Sequence, residues 1–166
     1  FENRITKLEG GMASIACASG MAAIMNAILN IVRSGDEIVS SASLYGGSID
    51  LFRDIEEFGI KTRYVKNNDW EAIEGAINEH TRLLFAETIG NPCLDVTDVE
   101  RLAEIAHAHK IPLILDNTTA TAYLFQGLKH GADIVVNSSS KYINGSSNSI
   151  SGILTVSYTH LRAHET

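Results

Sequence analysis

Short apolar runs rich in β-branched residues recur along this chain, each followed by a helix-like stretch, and that alternation limits the fold more than any other feature. The runs are Ala13 to Ala18, Glu37 to Ser41, Lys61 to Val65, Arg82 to Ala86, Pro112 to Asp116 and Asp133 to Asn137, with a further extended run over Ile150 to Val156. Between them apolar residues take helical spacing over Met21 to Val32, Ile49 to Phe58, Trp70 to Asn78, Val99 to His109 and, briefly, near Leu124 to His130. Gly35, Gly59 and Gly131 fall where helices should stop. A strand that pairs in parallel with its predecessor needs a connection long enough to cross back over the sheet, and a helix fills it. The expectation is an α/β fold with helices covering a mostly parallel sheet of seven strands. No internal repeat, low-complexity linker or Pro-rich break divides the chain, so residues 1–155 are expected to form one domain.

The last stretch differs. Beyond the seventh run neither the apolar pattern nor a glycine turn signal continues, and residues 156–166 are expected to be a non-native tail. His160 and His164 are four residues apart but lack the acidic partner of an H-E-x-x-H motif, so no metal is expected. Composition excludes other classes. With 166 residues, 45% hydrophobic and 20% charged, the chain can bury a sizeable core. No apolar run reaches the roughly 18 residues of a membrane span, and Phe1 to Arg4 lacks the basic-then-apolar plan of a signal peptide. A formal charge of −7 provides no general attraction for nucleic acid or an anionic membrane. Cys17 and Cys93 are too few for a disulfide framework and lack C-x-x-C spacing. A soluble cytoplasmic protein with no nucleic-acid or membrane partner is expected.

In open α/β sheets ligands bind beyond the carboxyl ends of the strands, so the polar residues that follow each apolar run are the informative ones. Ser19-Gly20-Met21 follows the first run and opens a helix, which aims free amides and the positive end of a helix dipole at one point; the pattern reads as an anion site or as a plain Ser N-cap. It is neither G-x-G-x-x-G nor a Walker phosphate loop, which disfavours a nicotinamide-binding domain. Leu44-Tyr45-Gly46-Gly47-Ser48 offers close backbone approach and an aromatic that stacks on a flat ring or packs in a surface turn. Asn91 is held extended by Pro92, either to orient a ligand oxygen or as an Asx-type loop residue. Asp116 ends a buried-looking run, where its partner is a protonated ring nitrogen or local backbone donors. Ser138-Ser139-Ser140-Lys141-Tyr142 ends the sixth run, and Lys141 is an imine-forming amine or a solvated lysine. Together these are the groups pyridoxal phosphate requires: an amine, a carboxylate for the pyridine nitrogen, phosphate donors and a stacking ring.

The motifs resemble the Cys/Met metabolism enzymes dependent on pyridoxal phosphate, which have the type I aminotransferase-like large domain, a three-layer sandwich. The resemblance covers roughly Phe1 to Thr155 and rests on Leu8-Glu9-Gly10-Gly11 with Ser19-Gly20-Met21-Ala22-Ala23-Ile24, on Tyr45-Gly46-Gly47-Ser48, on Glu87 with Asn91-Pro92, on Asp116-Asn117-Thr118 and on Ser138-x-Ser140-Lys141-Tyr142-Ile143. It implies that Gly20 and Met21 amides, with Ser19, Thr118, Ser138 and Ser140, hold the cofactor and chiefly its phosphate. It further implies that Tyr45 stacks and assists proton transfer, that Asn91 lies near the ring hydroxyl, that Asp116 meets the pyridine nitrogen and that Lys141 forms the imine. The activity implied is replacement or elimination at Cγ of a homoserine ester such as O-acetylhomoserine, with cystathionine γ-synthase, cystathionine lyase or methionine γ-lyase chemistry as alternatives. Asn144-Gly145-Ser146-Ser147-Asn148 looks more like sulfhydrylase-type members than lyases. The resemblance also implies a homodimer or homotetramer whose N-terminal arm and C-terminal domain lie outside this chain. Exposed apolar surface is therefore expected, and the isolated chain is expected to be inactive, at most a phosphate-binding remnant.

Overall fold

The structure, a computed structural model, describes residues 1–157. Its seven strands are β1 (Ala13–Cys17), β2 (Glu37–Ser41), β3 (Lys61–Val65), β4 (Thr81–Glu87), β5 (Leu113–Asp116), β6 (Ile134–Asn137) and β7 (Gly152–Val156), and they form one sheet in the order β1-β7-β6-β5-β4-β2-β3. Strands β2 to β6 pair in parallel, and β7 runs antiparallel to both of its neighbours, so the expected mostly parallel α/β sheet is present. Val156, expected to belong to the tail, completes β7 and pairs with Ala13 and Ile134. The His160 and His164 pair lies outside the described residues.

The helices are α1 (Glu2–Glu9), α2 (Gly20–Ile31), α3 (Gly46–Glu56), α4 (Trp70–Ala76), α5 (Val99–Ala108) and α6 (Thr121–Leu124), followed by a 3₁₀ turn over Gly127–His130. Successive strand side chains face opposite sides of a sheet, and the core divides accordingly. Ile38, Leu83, Phe85, Ile114, Ile134 and Val136 pack under α2 and α3. Val39, Leu84, Ala86, Leu113, Leu115 and Val135 pack under α4 and α5. Three layers result. Gly35, Gly59 and Gly131 have φ of 94°, 81° and 97°, the left-handed backbone that ends a helix at little cost only in glycine.

Two local differences from the sequence reading have physical causes. The short helix near Leu124 to His130 is two pieces, because Phe125 is extended (φ −148°) and ends α6 before the 3₁₀ turn begins. Helix α1 was not anticipated: it buries only Ile5 and Glu9, too few apolar positions to display a period. Both edge strands are half exposed. On β3 the outward residues include Lys61 and Arg63, charges that discourage further strand pairing. Beside and on β1 stand Met12 and Ile15, both more than half exposed, which is the apolar surface the sequence predicts. Among the described residues no helix is long and apolar enough to cross a membrane.

Candidate active site

Crossover helices start at the carboxyl ends of parallel strands, so loop amides, helix N-termini and strand-end side chains converge along that edge. Ser19, extended after β1, caps α2 by accepting the Ala22 N–H on its Oγ at 3.1 Å. The Gly20 and Met21 amides find no acceptor among the described residues and are left for a ligand. Gly20 is demanded by contact, since a Cβ there would stand 2.6 Å from the Ser138 Cβ. Gly152 is as tightly placed, a Cβ falling 2.0 Å from the Ser19 carbonyl oxygen. The turn after β1 and the start of the turn after β6 are thereby pressed together, making one patch of free amides and hydroxyls.

The patch is wired to Asp116. The Ser138 N–H donates to Thr118 Oγ1 at 2.8 Å, and that hydroxyl donates to Asp116 Oδ1 at 2.5 Å, where the Thr118 N–H also arrives at 2.9 Å. Asp116 Oδ2 receives no hydrogen bond from the described residues. Burial pushes the Asp116 carboxyl above its usual range against the pull of Thr118. One anchored oxygen and one open oxygen suit a cationic N–H donor.

Beside it in register on β4 lies Glu87, which is buried. Its carboxylate accepts the Tyr45 N–H at 2.8 Å and the Asn91 N–H, with the Ser48 hydroxyl at 3.5 Å. Burial lifts its pKa to about 7, opposed by the Tyr45 amide and reinforced by the Asp116 charge. Tyr45 is half exposed, and its ring lies so close to Gly47 that a Cβ there would meet Cε1 at 2.6 Å. Asn91 is exposed on a loop tied to the Tyr45 loop by the Ser43 hydroxyl, which donates to Asp95. Gly90 permits that tie, since a Cβ there would stand 2.1 Å from Ser43 Oγ.

Lys141 sits in the turn after β6, where its N–H donates to the Ser138 carbonyl at 3.1 Å and its own carbonyl accepts the Gly145 N–H at 2.8 Å. Its side chain is exposed and makes no ion pair among the described residues. Ser140 differs from Ser138: its Oγ donates to the Ser151 carbonyl at 3.1 Å and accepts the Ser151 N–H at 2.9 Å, tying the lysine turn to the segment before β7. The structure thus brings Ser19, Gly20, Met21, Ser138, Thr118 and Asp116 into one connected edge. Tyr45, Asn91 and Lys141 stand at the same edge on loops, while Ser140 is engaged within its own turn. Sequence reasoning missed the anchoring by Glu87 and Asp95. Glu87 carried the signal that singled out Asp116, a carboxylate ending an apolar run.

A doubly covered parallel sheet with an anion patch, a strand-end carboxylate and a turn-borne lysine on one edge defines a cofactor-binding α/β domain. Residues 1–166 match the Cys/Met metabolism PLP-dependent enzyme family, and the chain belongs to that family. It is 47% identical to the O-acetyl-L-homoserine sulfhydrylase of Leptospira meyeri over 155 residues, 93% of this chain and 35% of the relative. It is 45% identical to the enzyme of the same name from Corynebacterium glutamicum over 156 residues, 93% of this chain and 36% of that protein. The fold superposes with a TM-score of 0.92 on an O-acetylhomoserine (thiol)-lyase from Campylobacter jejuni carrying N'-pyridoxyl-lysine-5'-monophosphate, at 38% identity over 94% of this chain and 39% of that one. A cystathionine γ-lyase from Lactobacillus plantarum complexed with L-serine gives the same TM-score at 37% identity, over 98% and 42% of the two chains. The chain spans about a third of the length of the curated relatives it matches.

The donor set fits pyridoxal phosphate on the structure's own terms. Two free first-turn amides beside two serines suit a phosphate, and the open oxygen of Asp116 suits a protonated pyridine nitrogen.

Proposed function

We propose that this chain is the cofactor-binding part of a pyridoxal phosphate enzyme of sulfur amino acid metabolism, replacing the γ-substituent of a homoserine ester such as O-acetylhomoserine to make homocysteine. One observation carries the binding assignment: the hydrogen-bonded path from Ser138 through Thr118 to Asp116 joins an anion patch to a carboxylate with an open oxygen. The sulfhydrylase relatives support the choice of substrate. Bound pyridoxal phosphate supplies an electron sink for charge that develops on the substrate carbons.

The chain's own residues do the rest. Ser19, Gly20, Met21 and Ser138 bind the phosphate, and Ser140 keeps the lysine turn in place. Thr118 fixes the Asp116 carboxylate, which would keep the proton on the ring nitrogen. Tyr45, positioned by Glu87, would stack on the cofactor ring, and Asn91 would hydrogen-bond its hydroxyl. Lys141 would hold the cofactor through its Nζ, and its amine, with Tyr45 assisting, would take and return the proton at the substrate Cα. Small amino acids are the substrate class, and the intact parent is a cytoplasmic homodimer or homotetramer; exposed Tyr45, Tyr123 and Tyr142 support a covering partner. Residues 1–156 act as one binding domain, with Val156 completing β7. The isolated chain is expected to lack turnover, as a cofactor- or phosphate-binding remnant.

The test has two arms. The 166-residue chain is incubated with pyridoxal phosphate, reduced with borohydride and mapped by mass spectrometry; the label is expected on Lys141, and a label confined to other lysines overturns the assignment. The full-length parent is then given O-acetylhomoserine and sulfide, and homocysteine is measured. Preference for cystathionine or methionine as substrate overturns the sulfhydrylase reading while leaving the cofactor site standing.

A further inference from the structure

Behind the lysine turn lies a group of buried polar side chains that the proposed chemistry does not use. Glu9, the last residue of α1, is fully buried, as are Asn117 and Asn137, which directly follow or end the strands carrying Asp116 and the lysine turn. Asn137 Nδ2 donates to Glu9 Oε1 at 3.2 Å. The other two oxygens of the same pair, Glu9 Oε2 and Asn137 Oδ1, are both buried and make no hydrogen bond of good geometry among the described residues. A buried acceptor left bare costs about 1–3 kcal/mol, and here two occur on side chains that already share one hydrogen bond.

A single proton removes both defects. Placed on Glu9 Oε2 and donated to Asn137 Oδ1, it would close a ring with the Nδ2–Oε1 bond, the pairing that a carboxylic acid and a primary amide make. We propose that Glu9 is a neutral acid locked to Asn137 in this cyclic pair, a positioning residue that fixes the end of β6 and so aims the Ser138–Lys141 turn. The surroundings agree. Burial lifts the Glu9 carboxyl to about 7, opposed by the amides of Asn137 and Asn117. Asn117 continues the contact to β5 and is itself held, its Oδ1 accepting from the Thr88 hydroxyl at 2.8 Å and its Nδ2 donating to the Phe125 carbonyl at 2.7 Å. Glu9 therefore ties together the strand ends that present Asp116 and Lys141.

The positional role rests on the cofactor reading, whereas the protonation of Glu9 does not, and the experiment separates them. Carbon-13 glutamate labelling of the full chain reads the Glu9 carboxyl, assigned by its loss in Glu9→Gln. A protonated signal is expected at pH 6, and an ionised one overturns the proposal whatever the cofactor does. Cofactor attachment at Lys141 is then followed by borohydride trapping. Glu9→Gln, whose amide can make the same ring, is expected to attach cofactor within about twofold of the native rate, while Glu9→Leu is expected to be slowed at least tenfold. Equal rates for Glu9→Leu and the native chain, or Glu9→Gln slowed as much as Glu9→Leu, overturn the positioning role. Should Glu9→Leu fail to fold, the native carboxyl signal and the Glu9→Gln rate decide. Loss of attachment in the native chain with a protonated Glu9 refutes the cofactor reading, and with it the aiming role.

Discussion

The two edges of the sheet treat carboxylates in opposite ways. At the edge where β2, β4 and β6 begin, three acids have basic partners: Glu37 with Arg63 at 2.5 Å, helped by the Asn78 amide at 2.7 Å, Asp36 with Arg82 at 3.1 Å, and Asp133 with His107 at 2.9 Å. The Arg63 guanidinium holds the Glu37 carboxyl down at about 2. At the edge where β4 and β5 end, Glu87 and Asp116 stand side by side with only neutral donors, and burial lifts both. The difference teaches what each edge is for. Paired acids hold structure and are content without a ligand, whereas buried acids without cations leave a deficit that a cationic ligand group or a proton must fill.

The sharpest way to break this contrast is to remove one charge from each edge. Lys141→Ala is expected to abolish borohydride-fixed cofactor entirely, while Glu37→Gln should leave its extent unchanged; mass spectrometry of the reduced protein reads both. Equal effects would end the distinction between the edges.

Acid titration sharpens it next. A folded acid that keeps its proton to higher pH than the unfolded chain does makes stability fall as pH rises between the two values. Glu9 and Glu87, lifted from 4.5 to about 7, should each remove up to about 3 kcal/mol between roughly pH 4.5 and 7. Glu37 acts with the opposite sign: its contribution is present above 4.5 and is lost as pH falls towards about 2. Urea midpoints from pH 3 to 8 should therefore peak on the acid side of neutrality, and Glu9→Gln should flatten the upper limb.

Glycine substitutions give a smaller, graded effect. Gly152→Ala and Gly20→Ala force a Cβ into backbone or Ser138 and should cost about 1–3 kcal/mol, with Gly152→Ala the worse. Gly46→Ala meets nothing within 4 Å and should stay within about 0.5 kcal/mol of the native chain by chemical denaturation. The structural cost of the paired edge is small as well: Glu37→Gln should lose little because Arg63 is half exposed, and Asp116→Asn should lose none at pH 7.

Much of the fold was legible because its signals are local. Strand runs end within one or two residues of the observed β2, β3, β4, β5 and β6, and three glycines marked helix ends through their backbone freedom. Site residues were legible where one strand-end position and one side-chain chemistry coincide, as for Asp116 and Ser19. Less legible were groups defined by a partner far along the chain: Glu87 holding the Tyr45 amide across 42 positions, and Glu9 meeting Asn137 across 128. Neither partnership leaves a mark on the residues between.

From the order of residues alone come the α/β alternation, the helix stops and the set of polar groups that follow the strands, because period and turn chemistry are properties of neighbours in sequence. Only the tertiary structure decided that β7 enters antiparallel between β1 and β6. It also decided that the Gly20 turn presses on Ser138 and that one edge keeps its acids without cations. Those outcomes depend on which distant surfaces share a burial site, and desolvation acts on a side chain only once the fold has closed around it.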